Sequence, residues 1–200
     1  MAKSKRLNQL LSRISFLETK ILPPEKIDGN YTKIESDLIK SYLLLVHAEI
    51  EAYFEDKAKE KAQKALADWR LNRKKSNCLT AIMAFAGNEL SYKNEARPNY
   101  YNIEFRVNRA VSHYLDSLNK NNGVKQSDLI NIMIPIGIEI SEVDNTWLNV
   151  MDSFGAARGL IAHKSLRVQN QLDRNTEKDR INNQIIPEIV RLDQLIQRKG

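Results

Sequence analysis

The chain is poor in the residues that usually announce chemistry. Its 200 residues include one Cys, three His, seven Gly and five Pro. Cys78 has no partner in the chain, so a disulfide framework is excluded. A tetrahedral Cys/His zinc site would have to take Cys78, His47, His113 and His163 all together, which all but excludes it, and neither a metal nor a cofactor is expected. Apolar runs are short: Tyr42 to Val46 and Ile132 to Ile138 fall far below the ~20 residues a membrane helix needs, and Pro135 and Gly137 interrupt the second. The basic N-terminus (Lys3, Lys5, Arg6) leads into an alternation of apolar and polar residues, Leu7 to Phe16, rather than a signal-peptide core. A reducing cytoplasmic setting without membrane contact is the expectation. Gly-rich phosphate loops, a His-Glu-x-x-His pair and a serine elbow are all missing from the sequence.

What is present is charge and helical periodicity. The net charge is +6, but it is unevenly placed. Residues 1–26 carry six basic and two acidic side chains, residues 157–200 nine and five, and the stretch 121–156 one and five. Two basic ends thus flank an acidic segment, which is compatible both with a polyanion partner and with an ordinary lysine-rich surface.

Apolar residues recur at spacings of three and four almost throughout. Leu7, Leu10, Leu11, Ile14 and Leu17 predict an amphipathic first helix, stopped by Pro23-Pro24 and a loop through Asp28-Gly29-Asn30. A long second helix is expected from near Ser36, with Ile39, Tyr42, Leu43, Val46, Ile50, Tyr53 and Phe54 buried, becoming highly charged from Glu55 to Lys64. A short helix from Ser76 ends near Gly87, and after a polar loop to Pro98 a fourth is marked by Ile103, Val107, Val111, Tyr114 and Leu118, ended by Asn121-Asn122-Gly123. Ser127 to Met133 predicts a brief helix, and Asp144 to Thr146 offers N-cap chemistry to one containing Trp147, Leu148, Met151 and Phe154. Thr176 with Asp179 resembles a capping box before a last helix that Pro187 should kink. The expected fold is all-α, a bundle of about six or seven helices, divided as residues 1–34 (an amphipathic helix and loop) and residues 35–200 (the main helical domain).

The histidines are the candidates for function. His47 shares a helix face with Glu51, either as a half-buried ring tethered by its neighbour or as a polar pair lining a cleft. Arg106, Arg109 and His113 would form one polar stripe, either solvated or in contact with RNA phosphates. Arg158 falls along the edge of the Met151/Phe154 apolar stripe, where a permanent charge needs an anion or a cleft; Asp152 or Glu142 could serve, and His163 could simply cap a helix end.

Arg158-Gly-Leu-Ile-Ala-His163-Lys resembles the Arg-x-x-Ile-Ala-His core of the HEPN superfamily, and Tyr42-Leu-Leu-Leu-Val-His47-Ala-Glu49-Ile-Glu51-Ala-Tyr53 looks like the first core helix of its RiboL-PSP subgroup. Arg106 and His113, with six residues between them, match the bare spacing as well, so context favours the later pair. The resemblance covers roughly residues 35–195. It implies a HEPN-like core, a two-fold homodimer with a shared cleft, and a metal-independent endoribonuclease of the toxin or defence type. Arg158 and His163 would be catalytic, with His47, Glu51, Lys164 and Ser165 in support. RNA would be the substrate and an antitoxin or regulatory protein a further partner. The alternative implied is a dimeric HEPN-like module that binds RNA, a nucleotide or a protein without cutting. The family often places a polar residue directly after the Arg; this chain has Gly159.

Overall fold

Ser4 starts the first helix, α1 (Lys5–Lys20), by accepting a hydrogen bond from the Leu7 N–H at 3.1 Å through its hydroxyl. In the computed structural model the described residues are 2–86, 102–163 and 172–199, with the side chains of 162 and 163 left aside. The polar loop expected up to Pro98, and Gly87 as a terminator, lie outside them. No strand occurs among the described residues, and the fold is all-α.

The central element is α2 (Lys33–Asn72), 40 residues and so about 60 Å long. It begins three residues before the expected start, because Thr32 and Glu35 form a reciprocal capping box: the Glu35 N–H donates to Thr32 Oγ1 at 3.2 Å and the Thr32 N–H to Glu35 Oε2 at 2.7 Å. It ends at Arg73, in the left-handed conformation (φ 54°) with its guanidinium 4.3 Å from the centre of the Trp69 ring. The whole expected stripe is buried, and Ala58, Ala62, Ala65 and Trp69 extend it through the charged half. There the aliphatic stems of Lys57 and Lys61 are also buried, and Lys61 Nζ donates to the Ile196 carbonyl at 2.7 Å. Burial pushes the Lys61 ammonium down to about 8.

Around α2 pack α1, α3 (Asn77–Phe85), α4 (Ile103–Leu118), α5 (Gln126–Met133) and α6 (Asn145–His163). The α5 helix passes through a 3₁₀ turn, Ile134–Ile136, and stops at Gly137, whose φ of 85° suits glycine alone. Asp144 caps α6 by accepting from the Trp147 N–H at 2.8 Å, as the sequence suggests. The last run comprises α7 (Arg174–Asp179), a π-helical segment (Arg180–Ile185) and α8 (Ile186–Arg198). The cap of α7 differs from the expected one. Asp173 accepts from the Thr176 N–H at 2.7 Å, so Thr176 stands inside the first turn and is not the cap. Pro187 is the second residue of α8, one residue past the π segment, where the wider winding accommodates a residue that has no N–H to donate.

Both ends of the chain meet at Asp193, which is fully buried. Its carboxylate accepts from the Ser4 N–H (2.9 Å), the Ser4 hydroxyl (2.5 Å), the Tyr53 hydroxyl (3.0 Å) and Gln197 Nε2 (2.8 Å). One side chain therefore joins α1, α2 and α8.

Candidate active site

α2 and α6 bring together three of the residues singled out from sequence: His47, Glu51 and Arg158. His47 projects from the buried side of α2 and is 2% exposed. Its ring stacks on Phe154 of α6, with centroids 5.5 Å apart and planes 26° from parallel. Its Nδ1 lies 3.6 Å from Glu51 Oε2, one turn further along α2. Arg158 follows Phe154 by one turn of α6 and is half-buried, at the edge of the stripe formed by Trp147, Leu148, Met151 and Phe154.

The three groups are electrostatically linked. Burial, and then the Arg158 charge, push His47 down to about 4, so the ring is neutral at physiological pH. Glu51 is raised above the ordinary carboxylate range by burial first and then by Glu55 and Asp128, with Arg158 opposing the rise. The two carboxylates that sequence offered as structural partners for Arg158 are engaged elsewhere: Asp152 accepts from the Gln126 N–H at 2.7 Å, and Glu142 pairs with Lys199. A guanidinium at the lip of a buried neutral imidazole and a perturbed carboxylate is an arrangement suited to holding an anion.

The neutral state of His47 has a consequence for stability. An unfolded chain takes up the His47 proton near pH 6.5, and the folded chain refuses it until about 4. Folding is therefore penalised as pH falls through that window, by up to about 1.4 kcal/mol per unit and about 3 kcal/mol in all. Glu51 acts in the opposite sense, since a raised carboxyl pKa favours the folded state as pH falls. Urea midpoints measured from pH 7 to 4 should decline, and His47→Leu should flatten the decline; equal slopes in both proteins would contradict a neutral buried His47.

The remaining candidates are placed differently. His163 is the last residue of α6, with its side chain outside the described set; Lys164 and Ser165 lie outside the described residues altogether. Since α6 continues through Gly159, positions 158 and 163 stand five residues apart on one helix, about 140° around its axis. Arg106, Arg109 and His113 lie on α4, not on α2 or α6, which carry this cluster. Asn108, on the same helix, meets Arg70, which is nineteen residues and so about 28 Å beyond Glu51 along α2. Arg109 and His113 are exposed, and Arg106 keeps its Nε buried without a hydrogen-bond partner. Among the described residues, no three His, Cys, Asp or Glu side chains gather into a metal-holding group, and no helix is long and apolar enough to cross a membrane.

The two glycines of α6 differ. A Cβ on Gly155 would stand 2.7 Å from Lys125 Cγ, so this glycine lets α6 approach the start of α5. A Cβ on Gly159 would meet nothing within 4 Å. Gly159→Ala should therefore stabilise the protein by about 0.5–1 kcal/mol through helix propensity alone. Thermal unfolding checks this, and a lower melting temperature would show that position 159 needs glycine.

Sequence reasoning did not single out Phe154, which supports the imidazole, or Asp128, which acts on Glu51 from α5. Phe154 was legible only as core, and Asp128 reaches the site through tertiary packing.

A family model described as RiboL-PSP-HEPN matches residues 5–195, taking in α1 as well as the later helices. Comparison with curated proteins and with solved structures returns no match to either.

Proposed function

The chain belongs to the RiboL-PSP-HEPN family, and from that premise we propose that it is a metal-independent endoribonuclease acting on single-stranded RNA, as a toxin or defence effector of the cytoplasm. The observation that carries this reading is Arg158, half-buried at the edge of the His47–Glu51 pair and on the same helix as His163.

The chemistry needs no metal. The 2′-hydroxyl of the RNA attacks the adjacent phosphorus, the 2′-O–P bond forms, the P–O5′ bond breaks, and a 2′,3′-cyclic phosphate and a free 5′-hydroxyl result. Arg158 holds the phosphate bidentately and stabilises the charge that builds on its oxygens. His163 relays the proton from the 2′-oxygen or to the departing 5′-oxygen, the role an imidazole suits near neutral pH. Lys164 adds positive potential and Ser165 a hydrogen bond. His47 stays neutral and buried, so its role is to hold Glu51 and the α2–α6 contact in place. Arg106, Arg109 and His113 form a separate basic stripe along which RNA can run.

The arrangement on α6 favours a two-fold homodimer. Residues about 140° apart on one helix do not converge on one phosphate, so the Arg158 of one protomer and the His163 of its partner would make the site. Exposed apolar side chains suit such pairing: Ile34, Leu38 and Leu45 share one face of α2, about a third of a turn from Glu51, and Leu160 is half-exposed two residues beyond Arg158. The open space beside Gly159, where the family often carries a polar side chain, favours a second reading, a dimeric module that binds RNA, a nucleotide or a regulatory protein such as an antitoxin without cutting.

Incubation with single-stranded RNA and with DNA of the same sequence, each with and without EDTA, separates the two. The enzyme cleaves RNA in EDTA and leaves DNA intact, because DNA lacks the 2′-hydroxyl. RNA that is bound and returned whole would replace the enzyme with the module.

A further inference from the structure

A pocket of about 500 Å³ opens between the end of α3, the α4–α5 connection and α5, within the size range of small-ligand sites. Its apolar part is Phe85, Leu118 and Ile132. Leu118 and Ile132 are core residues, but Phe85 is 58% exposed, a large ring left at the lip of the pocket by the last position of α3. Its polar part is Asn122, Asn131 and Asp128, with Lys120 contributing a cation. Asp128 accepts from the Lys125 N–H at 3.0 Å through Oδ2. A carboxylate has about four lone-pair sites, so capacity for further N–H donors remains. Gly123 permits the tight approach of this connection, since a Cβ there would stand 2.5 Å from Asp128 Oδ2.

The pocket adjoins the candidate active site. Asn121, also in its wall, donates to Glu55 Oε1 at 2.9 Å, and Glu55 lies one turn of α2, about 6 Å, beyond Glu51. Asp128 in turn helps to raise Glu51. A strand whose phosphate rests on Arg158 therefore has this pocket within reach of a neighbouring nucleotide.

We propose that the pocket holds one unpaired guanine of the RNA, stacked on Phe85 and read along its polar edge by Asp128, Asn122 and Asn131. This rests on the reading of the Arg158 site as an RNA site and gives that site a sequence preference. An aromatic ring with amides and a carboxylate beside it is the chemistry that recognises a base in a single strand. Guanine presents two N–H donors next to one carbonyl acceptor: the donors match Asp128, and the acceptor matches an amide or Lys120. Uracil has a single ring N–H, and adenine has no carbonyl.

The test uses the full chain and the four nucleoside 5′-monophosphates, titrated by NMR or calorimetry without any cleavage step. GMP should bind more tightly than AMP, CMP and UMP. Phe85→Ala should weaken GMP by about tenfold or more, and Asn131→Ala and Asp128→Asn should reduce the preference for GMP over the others. Circular dichroism on each variant verifies that it is folded, and Asn131→Ala, at an exposed position, serves where Asp128→Asn disturbs the α5 cap. Equal binding of all four nucleotides, or GMP affinity unchanged by Phe85→Ala, would overturn the proposal. The two readings also fail separately. GMP binding with this variant pattern in a protein that cannot cut RNA removes catalysis and keeps the pocket. Cleavage whose sites are indifferent to Phe85→Ala and Asn131→Ala removes the pocket and keeps catalysis.

Discussion

Arg158→Ala should lower the rate of RNA cleavage about 10³-fold, with the protein still folded. The size follows from the role: a fork of charged donors on a phosphate whose charge grows in the transition state contributes roughly 10²- to 10⁵-fold in comparable positions. Arg158→Lys should recover only a small part, because an ammonium is a point charge and cannot reproduce the bidentate contact. A second readout needs no substrate. Arg158 is one of the two causes that depress His47, so removing its charge should raise the His47 pKa, observable by NMR, while burial keeps it below its ordinary value. An unchanged His47 titration would mean that the guanidinium does not sit where α6 carries it. His163→Ala should cost about 10²- to 10⁴-fold, the usual contribution of a positioned proton-transfer group.

The largest effect on stability should come from Asp193→Ala. The substitution removes the acceptor for Ser4, Tyr53 and Gln197 at once, and it leaves the Tyr53 hydroxyl buried without a partner. Hydrogen bonds to a charged group are worth about 1.5–3 kcal/mol, and a stranded buried donor adds its own desolvation cost, so a loss of about 4 kcal/mol is expected in urea unfolding. Ser4 also caps α1 through the same hydroxyl, donating to Asp193 while accepting from the Leu7 N–H. Hydrogen exchange should therefore accelerate throughout α1 and not only around α8. Tyr53→Phe, which removes a single donor, should cost much less. A loss of under about 1 kcal/mol for Asp193→Ala would show that the network is not a stabilising junction.

The contrast between these two residues shows what a sequence discloses. Arg158 was visible because its misfit is local: a permanent charge at the edge of an apolar stripe can be found by counting along one helix. Asp193 was invisible because its partners Tyr53 and Ser4 are 140 and 189 residues away in the chain. Helix existence and the buried faces were legible for the same local reason, and the Leu7/Leu10/Ile14/Leu17 and Ile39-to-Phe54 stripes are buried as spaced. Ends were less so. Thr32 and Asp173 compete with Ser36 and Thr176 as capping types, and the ones used are those whose side chains meet the N–H three residues on, Thr32 in a reciprocal box with Glu35 and Asp173 on Thr176. His47 and Glu51 were legible as a pair, but whether the pair faced solvent or core depended on Phe154 of α6. The Phe85 pocket left no mark at all in the pattern, since Phe85 meets the 117–132 stretch only through tertiary packing and the Asn121-Asn122-Gly123 turn reads only as a helix terminator.

The central claim is that Arg158 of one protomer and His163 of its partner cut RNA together, and mixing two inactive proteins tests it. Arg158→Ala and His163→Ala chains, co-expressed and purified as the mixed dimer, should regain cleavage in EDTA, because one of the two composite sites then contains both an intact arginine and an intact histidine. A mixed dimer as inactive as either parent, with wild-type dimer active in the same buffer, would contradict the shared site.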